Sequence, residues 1–173
     1  MGRETIETIF ARRSVRKYSA EAVSEADVRV LLEAAMAAPS ASNSRPWHFV
    51  VVTGRQLLGS LASRHPYAKM LHQAPLCIAV CGSPADSEFW VQDCSAATEN
   101  LLLAVTAFGL GAVWIGVYPN EERTAVVRQE LGIPPGAVPL CLIAIGHPAE
   151  TKEPRTQYDD CLLYTSPSPR DRS

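Results

Sequence analysis

An α/β or α+β domain around a small mixed sheet is the fold this sequence predicts, on three observations. Segments with helical spacing alternate with short β-branched or aromatic runs along the chain. Proline, glycine and small polar residues punctuate the junctions. The run Leu76 to Cys81 is apolar without a break, the pattern of a strand covered on both faces.

The elements follow in order. Residues 4–12, with Ile6, Ile9 and Phe10 at helical spacing, read as a first helix, and Ser14 to Ala22 as an irregular connector. Ser24 followed by Asp27 is an N-cap with an acidic first turn. Val28, Leu31, Leu32, Ala35 and Met36 then carry a second helix to about Ala38, where Pro39 stops it. A polar loop, Ser40 to Arg45, ends at Pro46, and Trp47 to Val52 is a strand. Gln56 to Arg64 is a short helix leading into a Pro-interrupted segment from His65 to Leu71. After the strand from Leu76 to Cys81, Gly82 to Asp86 is a turn. The longest helical pattern runs from about Ser87 to Phe108 and is apolar nearly all round, which marks a buried central helix. Gly109-Leu110-Gly111 stops it. Ala112 to Val117 is a third strand, Pro119-Asn120 opens a helix to about Leu131, and Val138 to Ile145 is the fourth strand.

At 173 residues the chain has the length of one domain with a real core. Its apolar share of 47% and charged share of 20% are those of an ordinary globular protein. A net charge of −2 argues against a nucleic-acid binder, which needs a cationic excess. No apolar run reaches membrane-spanning length and the N-terminus has no secretory core, so a cytoplasmic location is expected. Five cysteines without C-x-x-C or zinc spacing read as buried, reduced thiols. The last stretch, Cys161 to Ser173, has no periodicity and ends rich in Ser, Pro and Arg. It resembles a translated adapter remnant, so 1–160 is taken as the domain and 161–173 as a non-native or disordered tail.

Three loop segments carry the chemistry. In Arg12-Arg13-Ser14-Val15-Arg16-Lys17, four cations and a hydroxyl fall within six residues. Guanidinium forks and a hydroxyl suit phosphate oxygens, so a compact phosphate monoester is the suggested ligand. The same run also reads as a solvated basic face at a helix end. Pro39 to Trp47 is a small-residue, hydrogen-bonding loop between a helix and a strand, in which Ser42 and Asn43 also read as turn caps. Trp114-Ile115-Gly116 places a glycine within a strand, a mark of close backbone approach, and Pro154-Arg155 lies beyond the last strand.

In this order the set resembles the compact form of the nitroreductase family of flavin-dependent oxidoreductases, over roughly residues 4–160. The resemblance rests on RRSVRKY, APSASNSRPWHFVVV, APLCIAV, the long helix ending in GLGAVWIG, and GHPAE followed by PR. It implies an α+β, three-layer homodimer of the obligate type, with helices flanking the sheet and FMN at the subunit interface. Arg12, Arg13, Ser14 and Arg16 match the family's N-terminal flavin motif, reaching the phosphate, the ribityl chain and the pyrimidine end of the ring. Ser40, Ser42 and Asn43 match the loop that contacts FMN from the partner subunit, and Arg45 stands where many members carry glutamine. Ile115 and Gly116 match the segment whose backbone faces flavin N5, Arg155 a second phosphate-binding arginine, and Lys69 a lysine near the ring in some members.

The function implied is transfer of hydride from NADH or NADPH through flavin N5 to a nitroaromatic, quinone or similar electrophile. Arg16 and Lys69 would stabilise the negative charge of reduced flavin. No side-chain nucleophile, general acid or metal ligand is called for; His48, His65, His72 and His147 read as structural or surface residues. Two further readings share the scaffold: a specialised flavin reductase or dehalogenase, and an FMN-binding module without turnover. Compact members usually continue past Tyr158-Asp159 with a segment that packs on the partner, so a replaced C-terminus would weaken both dimer and flavin binding.

Overall fold

The computed structural model describes residues 2–163. In chain order the elements are α1 (Gly2–Ala11), α2 (Glu25–Met36), β1 (Trp47–Val52), α3 (Arg55–Arg64) and β2 (Leu76–Gly82). They continue with α4 (Trp90–Ala107), β3 (Gly111–Gly116), α5 (Glu121–Leu131) and β4 (Val138–Gly146). Short 3-10 turns lie at Ala41–Asn43, Lys69–His72 and Asp160–Leu162. Ser24 caps α2 as its sequence predicts, accepting the Asp27 N–H at 3.0 Å and donating to the Asp27 carboxylate at 2.7 Å. Asn120 does the same for α5 through the Arg123 N–H. The long helix starts at Trp90 rather than Ser87, because the Ser87 hydroxyl accepts the Phe89 N–H and closes a local turn first.

The strands are ordered β1-β2-β4-β3, and all three pairings are antiparallel. This corrects the expected mixed sheet. β2 and β3 each run antiparallel to β4, so they are parallel to one another, joined by α4 as a crossover with β4 inserted between them. The alternation of helix and strand therefore announced a genuine crossover without a parallel ladder. Parallel pairing survives in one isolated bridge, Ser14 to Ala112, where the chain after α1 runs along the outer edge of β3.

Side-chain alternation sorts the core into two layers around the sheet. Leu76, Ile78 and Val80 of β2, with Cys141, Ile143 and Ile145 of β4, pack on α2 and α4. Cys77, Ala79 and Cys81, with Leu142 and Ala144, pack on the other side against α3, α5 and Leu71. Both central strands are thus covered on both faces, as the unbroken apolar run implies. Each fully buried Leu or Ile contributes roughly 1.5–3 kcal/mol.

Cys77, Cys81, Cys94 and Cys141 are buried free thiols. Burial pushes Cys81 up to about 11 and Cys77 and Cys94 up to about 12, so they are inert hydrophobes at neutral pH. Cys161 departs from the expectation: it is exposed. Of the expected tail only Cys161 to Leu163 are described, exposed and partly within the last 3-10 turn; 164–173 lie outside the described residues.

Candidate functional site

β3 is an edge strand, and its register decides which backbone groups it offers. The Val117 N–H donates inward to the Leu140 carbonyl at 3.1 Å, whereas the Ala112 carbonyl accepts outward from the Val15 N–H at 2.9 Å. By the two-residue period of a strand, residues 112, 114 and 116 direct their N–H and C=O groups away from β4. Val15 takes up the first of these positions. Trp114 and Gly116 open onto a cavity of about 520 Å³, lined also by Arg16, Pro66, Tyr67, Lys69, Met70, Val113, Ile115 and Arg123. That volume is in the range of small-molecule sites.

The chain after α1 is held in place by a strap at residues 150–153. The Glu150 carboxylate accepts the Arg16 N–H at 2.7 Å. Lys152 lies 3.4 Å from that carboxylate and donates to the Ser14 carbonyl at 2.7 Å. Arg13 donates to the Glu153 carbonyl. The Arg16 N–H, and secondarily Lys152, hold the Glu150 carboxyl below the usual carboxylate range. Tyr18 anchors the far side of the same stretch, its buried hydroxyl donating to the carbonyls of Val15 and Ala144 at 2.5 and 3.2 Å. The Arg16 side chain is thereby left to face the cavity while its backbone is fixed.

Arg16, Lys69, Ile115 and Gly116 are therefore brought together in one wall. Arg12, Arg13 and Ser14 sit on the same stretch but outside the lining, with Arg12 paired to Glu99 of α4 at 3.2 Å. Arg155 is exposed, and its backbone N–H donates to the Phe10 carbonyl at 3.1 Å.

Ser40, Ser42, Asn43 and Arg45 form a separate, preshaped loop. Ser42, Asn43 and Arg45 all have left-handed backbones, with φ of 51°, 55° and 50°. Such conformations cost roughly 1 kcal/mol each for residues with a Cβ. The buried Asp93 carboxylate offsets part of this by accepting the Ala41 N–H and the Ser87 hydroxyl, each at 2.9 Å. Ser40 accepts the Arg45 N–H at 3.0 Å. The side chains of Ser42, Asn43 and Arg45 point to the exterior, and none lines the cavity of their own chain.

Three residues around the cavity were not among the expected site residues: Tyr67, Arg123 and His65, the last expected to be structural or on the surface. Tyr67 and Arg123 meet in the lining, the guanidinium 4.7 Å from the ring centroid. Arg123 lies in the first turn of α5, and the packing of α5 beside the 65–67 segment brings it in. His65 is buried at 1% exposure behind Tyr67. Its signal was faint: an imidazole directly before Pro66, at the end of a short amphipathic helix.

Arg16, Lys69 and Arg123 give the cavity a cationic lining beside an open strand edge of an α+β fold. The model described as "Nitroreductase family" matches residues 9–64 and 57–147, and the chain belongs to that family. A protein of Archaeoglobus fulgidus, named as a candidate NADH dehydrogenase/NAD(P)H nitroreductase, is 45% identical over 87% of this chain and 88% of its own. A crystal structure from Bacteroides thetaiotaomicron, with the same candidate name, superposes with a TM-score of 0.93 at 45% identity, covering 95% of this chain and 98% of that one. A candidate nitroreductase of Desulfovibrio desulfuricans, solved in complex with FMN, is 32% identical with a TM-score of 0.82, covering 95% and 98%.

Proposed function

We propose that the protein is an FMN-dependent oxidoreductase, reduced by NADH or NADPH and reoxidised by a flat electrophile such as a nitroaromatic or quinone. The observation that carries this reading is Gly116. It lies in a strand, where glycine is unfavourable, and a Cβ added there would meet nothing within 4 Å. A glycine with open space before it, on an outward-facing edge and ringed by Arg16, Lys69 and Arg123, fits a flat ring laid against the backbone. When bound, FMN supplies the two-electron carrier that lets donor and acceptor use one site in turn.

The chain's own residues do the holding and tuning. Arg16 and Lys69 place positive charge against the ring's wall, where they favour an anionic reduced state. Arg12, Arg13, Ser14 and Arg155 form the phosphate end. The Arg12–Glu99 pair is half exposed and worth little, so exchanging it for a phosphate costs little. Ser40, Ser42, Asn43 and Arg45 reach the cofactor of a second copy, which makes the functional unit a homodimer of the 1–160 domain. The FMN complex of the Desulfovibrio relative supports the cofactor, and the names of the Archaeoglobus and Bacteroides relatives support the donor.

The test is the visible spectrum of the purified protein under anaerobic conditions. A flavin spectrum that bleaches on adding NADH or NADPH, and recovers with a quinone, is the expected result. A flavin that stays oxidised with both donors would reduce the protein to a flavin-binding module. A colourless protein that takes up no added FMN would overturn the reading.

A further inference from the structure

A second cavity, of about 440 Å³, adjoins the first, and Pro66 and Arg123 belong to the walls of both. Its own lining is polar: Ser63 and Arg64 contribute from the end of α3, Asn120 and Glu122 from the start of α5. Arg64 is held in place there, donating to the Glu130 carboxylate and to the Gln129 side-chain carbonyl, the latter at 2.9 Å. Arg123 is placed at a cost. It lies in the first turn of α5, the positive end of the helix dipole, where a cation is disfavoured. It is half-buried, and among the described residues no carboxylate lies within ion-pairing distance of it, although Glu122 is its neighbour in the chain. What steadies the guanidinium is the Tyr67 ring, whose centroid lies 4.7 Å from the guanidinium carbon. Its side-chain N–H groups donate no hydrogen bond among the described residues, so the fork is open to a ligand.

We propose that this second cavity is the subsite for the pyrophosphate of the nicotinamide donor, with Arg123 as the specificity-determining residue that grips it. The proposal rests on the FMN reading above, which lays the flavin ring, and with it the nicotinamide, at Gly116. A cavity of about 520 Å³ that takes a flavin ring has room for a nicotinamide beside it, whereas the dinucleotide carries two phosphates and an adenosine besides. Those groups need a neighbouring surface. The polar cavity across Pro66 and Arg123 offers them guanidinium groups, a hydroxyl and an amide. Arg16 and Lys69 line only the first cavity, whereas Arg123 faces both and is placed to reach the phosphates while the nicotinamide is at the flavin. Glu122 repels the same phosphates, and Arg64 is partly neutralised by Glu130, so Arg123 carries most of the attraction. A single charge-assisted contact on an open wall suits a donor that must leave before the acceptor enters.

The test uses FMN-loaded wild type, Arg123→Met and Arg123→Lys with two donors. One is NADH or NADPH, whichever the wild type uses better, and the other is N-methyl dihydronicotinamide, which carries the same ring without phosphate. The readout is the ratio of kcat/KM for the dinucleotide to kcat/KM for the phosphate-free donor. Arg123→Met should lower that ratio about tenfold, the loss of one charge-assisted contact, and Arg123→Lys should recover most of it. A ratio in Arg123→Met equal to that of the wild type would overturn the proposal, because the guanidinium would then not recognise the part of the donor that sets the two apart. Titration of ADP into the wild type gives a second readout, followed by the amide resonances of Ser63 and Asn120, which line only the second cavity. Shifts that saturate there support the subsite, and their absence at millimolar ADP refutes it, whether or not the Arg123 variants fold. If the wild type takes up no FMN, or oxidises neither donor, the flavin reading fails while the ADP titration still decides the subsite.

Discussion

Two glycines of β3 make opposite demands, and a single methyl group separates them. A Cβ at Gly111 would meet the Val15 side chain at 2.8–3.1 Å, the residue whose N–H pairs with Ala112. Gly111→Ala should therefore push the basic stretch off the strand edge and cost about 1–3 kcal/mol in thermal or denaturant unfolding. Gly116→Ala meets nothing in the protein and removes a glycine from a strand, so its unfolding midpoint should hold or rise by about 1–4 °C. Its FMN affinity should fall by about tenfold, or 1.4 kcal/mol, because the new methyl would stand where the proposed function lays the ring. Fluorescence titration of FMN, with melting curves on the same samples, checks both. If Gly116→Ala bound FMN as wild type does, the ring would have to lie elsewhere. At this scale the sequence exposed Arg16 and Gly116, because a cation cluster and a glycine within a strand are anomalies against their surroundings. It hid His65, Tyr67 and Arg123, whose types are ordinary in a Pro-containing loop and a first helical turn. What brings them together is proximity across more than 50 residues of chain, which no local pattern encodes.

The elements themselves were mostly legible, since β1 keeps the boundaries its aromatic and β-branched run predicts and α2 starts at its cap. The antiparallel sheet was not, because placing β4 between β2 and β3 is a choice of topology that leaves each strand's own pattern unchanged. The strap at 150–153 was equally invisible: no local pattern ties Glu150 and Lys152 to their partners, Arg16 and Ser14, at the other end of the chain. The strap has a pH signature. The Glu150 carboxyl is held below its ordinary 4.5, so its stabilising contribution is full above that value and is lost as pH falls through the lowered folded value. Glu150→Gln keeps the shape but forfeits the charge. The gap between the thermal midpoints of wild type and Glu150→Gln should be steady above about pH 5 and close in more acidic buffer. A gap that widened with acid would mean that the carboxyl is not the anchor of the Arg16 backbone.

At the scale of the whole molecule, the proposed function makes one chain half of a site. Its cavity gathers Arg16, Lys69, Ile115 and Gly116, while the loop carrying Ser42, Asn43 and Arg45 spends backbone strain to display side chains away from that cavity. A loop strained into one shape, with its polar groups outward, makes sense as a surface for another copy. α1 offers a means of association. Ile6, Ile9 and Phe10 are 42–49% exposed at i, i+3 and i+4 spacing, an apolar stripe of the kind that a second subunit covers. The expected outcome is a particle of twice the chain mass by light scattering. Phe10→Asp should yield a monomer with native far-UV circular dichroism and at least tenfold weaker FMN binding, since the second chain's loop is removed with the interface. The two losses should track each other as protein concentration is raised. Should the Phe10→Asp monomer hold FMN as tightly as the parent, one chain would suffice for the cofactor, and the strained loop would need another purpose.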